Sequence, residues 1–195
     1  MKKMVFFVLL FIGAFVMQLN AQNIQFRKVD TTVKIGKAGY KVRCSNKNVE
    51  KNEITIYPTG FDNTARDMLF SLNGKVDQTM VDDLNNDGFP DLILTYYTGA
   101  KNEAGLVFAL LSEQNQRCVP VMFPDIRDDA KLKLGYNGND SYWMMEGALF
   151  RRFPLVNEAM ESTGLVRTIQ YKMVPSGNGG YKFTTVRHYD KKITD

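Results

Sequence analysis

The chain has 195 residues, with 25 Lys and Arg against 21 Asp and Glu, a formal net charge of +4 and a single histidine. So balanced a surface, with no basic stripe interleaved with aromatics, has nothing to neutralise phosphates or stack bases, and nucleic acid is excluded as a partner. One histidine, His188, also excludes a zinc cluster built on histidines.

The first segment reads as a secretory signal peptide, residues 1–21. Lys2 and Lys3 form a basic start, Val5 to Met17 is an apolar run, and Ala21 offers a small residue before cleavage. At thirteen residues the run is shorter than the roughly 20 that a membrane-spanning helix needs, although Leu19 is a poor residue two places before Ala21 and an uncleaved anchor is the alternative. No cysteine near the cleavage region is available for a lipid anchor, and no later run is apolar for long enough to span a membrane. The product is expected to be exported, periplasmic or secreted, as one domain over residues 22–195. Removing Lys2 and Lys3 lowers its formal charge to +2.

From there, short runs rich in β-branched and aromatic residues recur between Gly, Asn, Asp and Pro. In chain order they are "GYKVRCS", "NEITIYP", "RDMLFSL", "DLILTYYT", "GLVFALLS", "RCVPVMF", "YWMMEGALFRRF", "TIQYKMV" and "GYKFTTVRHYD". Such spacing predicts an all-β fold, a single-domain antiparallel β-sandwich with little helix. In "TIQYKMV", Ile169, Tyr171 and Met173 alternate with Gln170 and Lys172, the period of a strand wet on one face. "GLVFALL" is apolar on both faces, which places it mid-sheet with both sides covered. The one helical stretch expected is around "NEAMEST", and "GNGG", Gly177 to Gly180, is expected to turn the last hairpin. Cys44 and Cys118 are the only two cysteines, and an oxidising compartment predicts a disulfide between them, with two buried free thiols as the alternative.

"VDDLNNDGFPDLILTYY", Val81 to Tyr97, carries the densest chemistry. It sets Asp83, Asn85, Asp87 and Asp91 at offsets 1, 3, 5 and 9, with Gly88 at the bend. Alternate residues of a tight loop can aim hard oxygens at one Ca²⁺ ion, with the Phe89 carbonyl as a further ligand. Position twelve is Leu94 rather than Glu and the flanks are strands, so the pattern is a strand-loop-strand calcium loop with a structural ion. Its alternative is a turn in which Asp and Asn bond their own backbone.

Elsewhere the catalytic inventory is thin. Any triad would depend on His188, and no Gly-rich loop is placed to hold phosphate, so the chain is not expected to be an enzyme. In "LFRRFP", Arg151 and Arg152 are consecutive on a strand and face opposite sides. Whichever points inward requires a carboxylate, and Glu146 is the candidate; an edge-strand solubility device is the alternative. Trp143 and nine tyrosines could supply stacking faces for sugars.

Taken in order, "GYKVRCSNKN", "NEITIYPTGF", "VDDLNNDGFPDLIL", "YNGND", "EGALFRRFPL" and "IQYKMV" resemble the periplasmic inhibitors of invertebrate-type lysozyme, over residues 39–189. The resemblance implies an exported antiparallel β-sandwich whose partner is a lysozyme and whose action is to block that enzyme's active-site cleft; a homodimer is compatible with it. Inhibitors of this kind resemble other lysozyme inhibitors in carrying a Ser-Gly-x-x-Tyr loop whose hydroxyls reach the enzyme's catalytic carboxylates, and this chain departs from that pattern. The turn expected to hold it, after "DLILTYYT", reads "GAKNEAG", with neither Ser nor Tyr; Thr98, Gly99 and Lys101 are candidate partner-binding residues there. The nearest match, "SGNGGY", is one residue longer and lies in another hairpin; it adds Ser176, Gly177 and Tyr181, and an ordinary Gly-rich turn is its alternative. A calcium-stabilised exported module that binds glycan or another envelope component is the competing expectation.

Overall fold

A computed structural model describes residues 27–62, 65–99, 103–177 and 179–193. The expected leader and Lys101 lie outside the described residues. Among the described residues, twelve strands form three four-stranded antiparallel meanders. The first sheet holds β1 (Val29–Ile35), β2 (Ala38–Cys44), β3 (Asn52–Thr59) and β4 (Met68–Leu72). The second holds β5 (Lys75–Asp82), β6 (Asp91–Thr98), β7 (Ala104–Glu113) and β8 (Arg117–Val121). In the third, β9 (Ser141–Met145), β10 (Ala148–Val156), β11 (Ser162–Pro175) and β12 (Tyr181–Lys192) again pair in sequence. The fold is all-β, and its only helical turn is a short one at Ile126–Asp128 among the described residues.

Strand periodicity explains how these sheets stack. On β6, Leu92 and Leu94 point one way and join Tyr40, Val42, Ile54 and Ile56 of the first sheet in one buried cluster. Ile93 points the other way, with Ala109 and Leu111 of β7, and packs with Leu149, Phe153, Ile169 and Tyr171 of the third sheet. The middle sheet is therefore covered on both faces, as the two-sided apolar character of "GLVFALL" requires. Each fully buried aliphatic side chain contributes about 1.5–3 kcal/mol, and Leu94→Ala, at a position with no exposure, would cost about 2–5 kcal/mol.

Four expectations need correction. "YWMMEGALFRRF" is two strands, because Glu146 and Gly147 adopt positive φ (52° and 66°) and turn a tight hairpin between β9 and β10. The strands β1 and β5 lie wholly outside the nine runs. "NEAMEST" is no helix: the Asn157 side chain accepts from Glu161 N at 2.9 Å, capturing the backbone in a turn from which β11 starts.

The Cys44–Cys118 disulfide is not formed, and both thiols are free. Cys44 sits in the first sheet and donates to Asn46 Oδ1 at 3.2 Å, while Cys118, on the edge of the second, faces the Tyr40 hydroxyl at 3.8 Å. Burial pushes both thiols up, Cys118 to about 11, which leaves them protonated and inert.

Candidate functional site

Residues 83–90 connect β5 to β6, whose ends meet at the Asp82 and Asp91 pair. Asp83 accepts from the amides of Asp87 (3.0 Å) and Gly88 (2.8 Å), and Asp87 accepts from Phe89 N at 2.9 Å. Asn85 Nδ2 donates to Asp87 Oδ2 at 2.8 Å. Gly88, at φ 86°, supplies the bend. The loop thus carries a set of side-chain-to-backbone bonds.

Asp91, the fourth of the expected ligands, has both carboxylate oxygens engaged by backbone amides. It is fully buried, its Oδ2 accepts from Leu84 N (2.9 Å) and its Oδ1 from Ser112 N (2.8 Å), so it ties the loop to β7. Burial pushes its carboxyl up to about 7; the two amides oppose that, and the charges of Asp87 and Asp83 add to it. Among the described residues no group of three or more His, Cys, Asp or Glu side chains is arranged to hold a metal. The oxygens of Asp83, Asn85 and Asp87 remain the hard donor type that Ca²⁺ takes, and carboxylate oxygens have lone pairs beyond those the amides use.

A second polar cluster was half foreseen. Arg151 points inward and is 1% exposed, while Arg152 points to solvent. Its partner is Asp140 rather than Glu146, which lies exposed in the β9–β10 turn. Arg151 Nε donates to Asp140 Oδ1 at 2.6 Å, and Asp140 Oδ2 accepts from Gly105 N (2.7 Å) and Tyr136 Oη (2.6 Å). Tyr142 Oη donates to Gly105 O at 2.8 Å, and the Tyr97 hydroxyl donates to the Asp140 carbonyl. Burial holds the hydroxyls of Tyr97, Tyr136 and Tyr142 well above their ordinary range, so all three stay donors. Gly105 is required: a Cβ there would fall 2.6 Å from Asp140 Cβ. The cluster staples the second sheet to the third at the root of the β6–β7 loop.

The partner-binding candidates fall at two ends of the molecule. Thr98 and Gly99 open the β6–β7 loop beside the Arg151 staple, where Glu103 N donates to Thr98 O at 2.9 Å. Ser176 and Gly177 lie in the β11–β12 hairpin that leads into Tyr181, closed by Ser176 N to Gly180 O at 2.8 Å. That hairpin shares the opposite end with the Asp-rich loop and the β7–β8 turn, and the three enclose a groove of about 620 Å³. Asn85, Asp87, Glu113, Arg117 and Tyr181 are among its walls. Sequence gave no sign of this groove, because its walls are distant in the chain and meet only through the stacking of sheets.

His188 is exposed on the edge strand β12, paired with Ile169. Trp143 lies half-buried on β9, stacked on Phe150 at 5.2 Å with an interplanar angle of 9°. Among the described residues no helix is long and apolar enough to cross a membrane. Comparison with protein-family models and with curated proteins finds no match to this chain.

Proposed function

We propose that this chain is an exported binding protein that blocks the active-site cleft of a lysozyme, by steric occlusion and with no chemistry of its own. The observation that carries this reading, beside the segment-by-segment resemblance, is the Ser176–Tyr181 hairpin. It brings two hydroxyl side chains to the loop-rich end of the molecule, next to an open groove. Hydroxyls can donate to the cleft carboxylates of a lysozyme, and Lys182, exposed on the same hairpin, supplies charge of the complementary sign. The Thr98–Gly99 end is the lesser candidate, since it lies at the far side of the middle sheet and cannot share one footprint with the hairpin.

A lysis assay with invertebrate-, chicken- and goose-type lysozymes tests this. Inhibition of the invertebrate type at stoichiometric amounts is expected. Lysis unslowed for all three at micromolar protein rejects the activity.

The stacked Trp143 favours a second reading, a calcium-stabilised module that binds glycan or another envelope component. The ring face turned away from Phe150 is then a platform for sugar, with Asp83, Asn85, Asp87 and Asp91 as the structural ion's loop. Retention on peptidoglycan that disappears in a folded Trp143→Ala protein is the expected result; no retention removes this reading.

A further inference from the structure

We infer that the groove between the Asp-rich loop, the β7–β8 turn and the β11–β12 hairpin is a binding site for a neutral oligosaccharide. It rests on neither the lysozyme reading nor the Trp143 platform, which stands on a different strand pair.

The volume, about 620 Å³, falls within the roughly 300–1,000 Å³ of small-ligand sites. Its chemistry narrows the class. Asn85, Gln114 and Gln116 bring planar amides, and Asp87 and Glu113 bring carboxylates, groups that exchange paired hydrogen bonds with vicinal hydroxyls. The one cation among the described lining residues, Arg117, is ion-paired to Glu113. The lining therefore carries excess negative charge, which repels phosphate, sulfate and other anions and leaves an uncharged polyol as the favoured guest.

The floor and one wall supply the other half of sugar recognition. Leu111, Val119 and Val121 are apolar, and the Tyr181 ring packs against the third-sheet core while its remaining surface lines the groove. An aromatic face and an apolar floor suit the C–H faces of a pyranose. Two glycines of the adjoining hairpin leave room: a Cβ at Gly179 would meet nothing within 4 Å, and one at Gly180 only Ser176 Oγ at 3.4 Å. A chain of linked sugars can thus approach the backbone at these two positions.

Backbone amide spectra of isotope-labelled protein, titrated to millimolar cellotetraose, chitotetraose and maltotetraose in turn, test the site. Saturable shifts confined to residues 85–88, 111–121 and 179–181 are expected with at least one of them. Tyr181→Ala should weaken that binding about tenfold or more, whereas Arg117→Ala should change it less than about twofold, in low and high salt alike. Should Tyr181→Ala fold poorly, Gly180→Leu fills the wall from a position whose φ is not left-handed and should abolish binding with the melting point unchanged. Three outcomes overturn the proposal: no saturable shift with any tetrasaccharide, shifts on β9 and β10 around Trp143 instead, or binding that vanishes with Arg117→Ala and with salt.

Discussion

Asp91 and Asp140 are both buried carboxylates, set at opposite ends of the middle sheet, and they are neutralised in different ways. Asp140 meets a guanidinium, a tyrosine hydroxyl and the Gly105 amide, so its charge is matched inside the protein. Asp91 meets two backbone amides and no cation. A matched pair fixes geometry. A carboxylate held by amides alone is open to a proton or, from the loop beside it, to a metal ion. The stapled end is thus rigid by construction, while the end that carries the groove and the hairpin answers to its surroundings.

Breaking the staple should have the largest effect. Arg151→Met leaves Asp140 buried without a countercharge and should cost about 3–5 kcal/mol in denaturant unfolding, part of which returns when Asp140→Leu is added. A cost under about 1 kcal/mol would mean that the pair does not hold the sheets together.

At the other end, Asp91 predicts a pH dependence of opposite sense to the usual carboxylate. Its folded pKa, about 7, lies above the unfolded value of about 3.9, so the native state binds more protons between them. That contribution to stability is complete below about pH 4 and is lost as pH rises through about 7, up to about 4 kcal/mol in metal-free protein. Unfolding free energies across that range should show the fall, and Asp91→Asn should flatten it.

Calcium sharpens the contrast more modestly. If the folded loop alone takes the ion, calcium at about 100 times its dissociation constant adds about 2.7 kcal/mol, and Asp87→Ala removes that gain. A loop that is only a turn gives a melt indifferent to calcium and chelator, with Asp87→Ala still costing about 1 kcal/mol through the lost bond to Phe89 N. The smallest effect is none at all: reductant should leave the melting point unmoved, because Cys44 and Cys118 are free. A bridge would instead forfeit about 4–5 kcal/mol on reduction.

How legible each region was follows from the reach of its interactions. The strand β6 matches "DLILTYYT" residue for residue, and the alternation of Ile169, Tyr171 and Met173 puts all three in the core, because both depend on local pattern. Reading one inward arginine in "LFRRFP" needed only the strand period. Its partner did not follow, because Glu146 is nearest in sequence while Asp140 reaches Arg151 across a hairpin from the preceding loop. The β9–β10 turn was hidden by Glu146, a residue seldom used at positive φ. Asp91 looked like a ligand by spacing, and only the packing of β7 alongside shows Ser112 N claiming it.

The central claim is that the hairpin end, and not the stapled end, engages a lysozyme. Calorimetric titration of invertebrate-type lysozyme into wild-type, Tyr181→Ala and Thr98→Ala proteins tests it most directly. The account predicts one-to-one binding that weakens about tenfold or more in Tyr181→Ala and is unchanged in Thr98→Ala. No binding by the wild type, or a loss confined to Thr98→Ala, would contradict it.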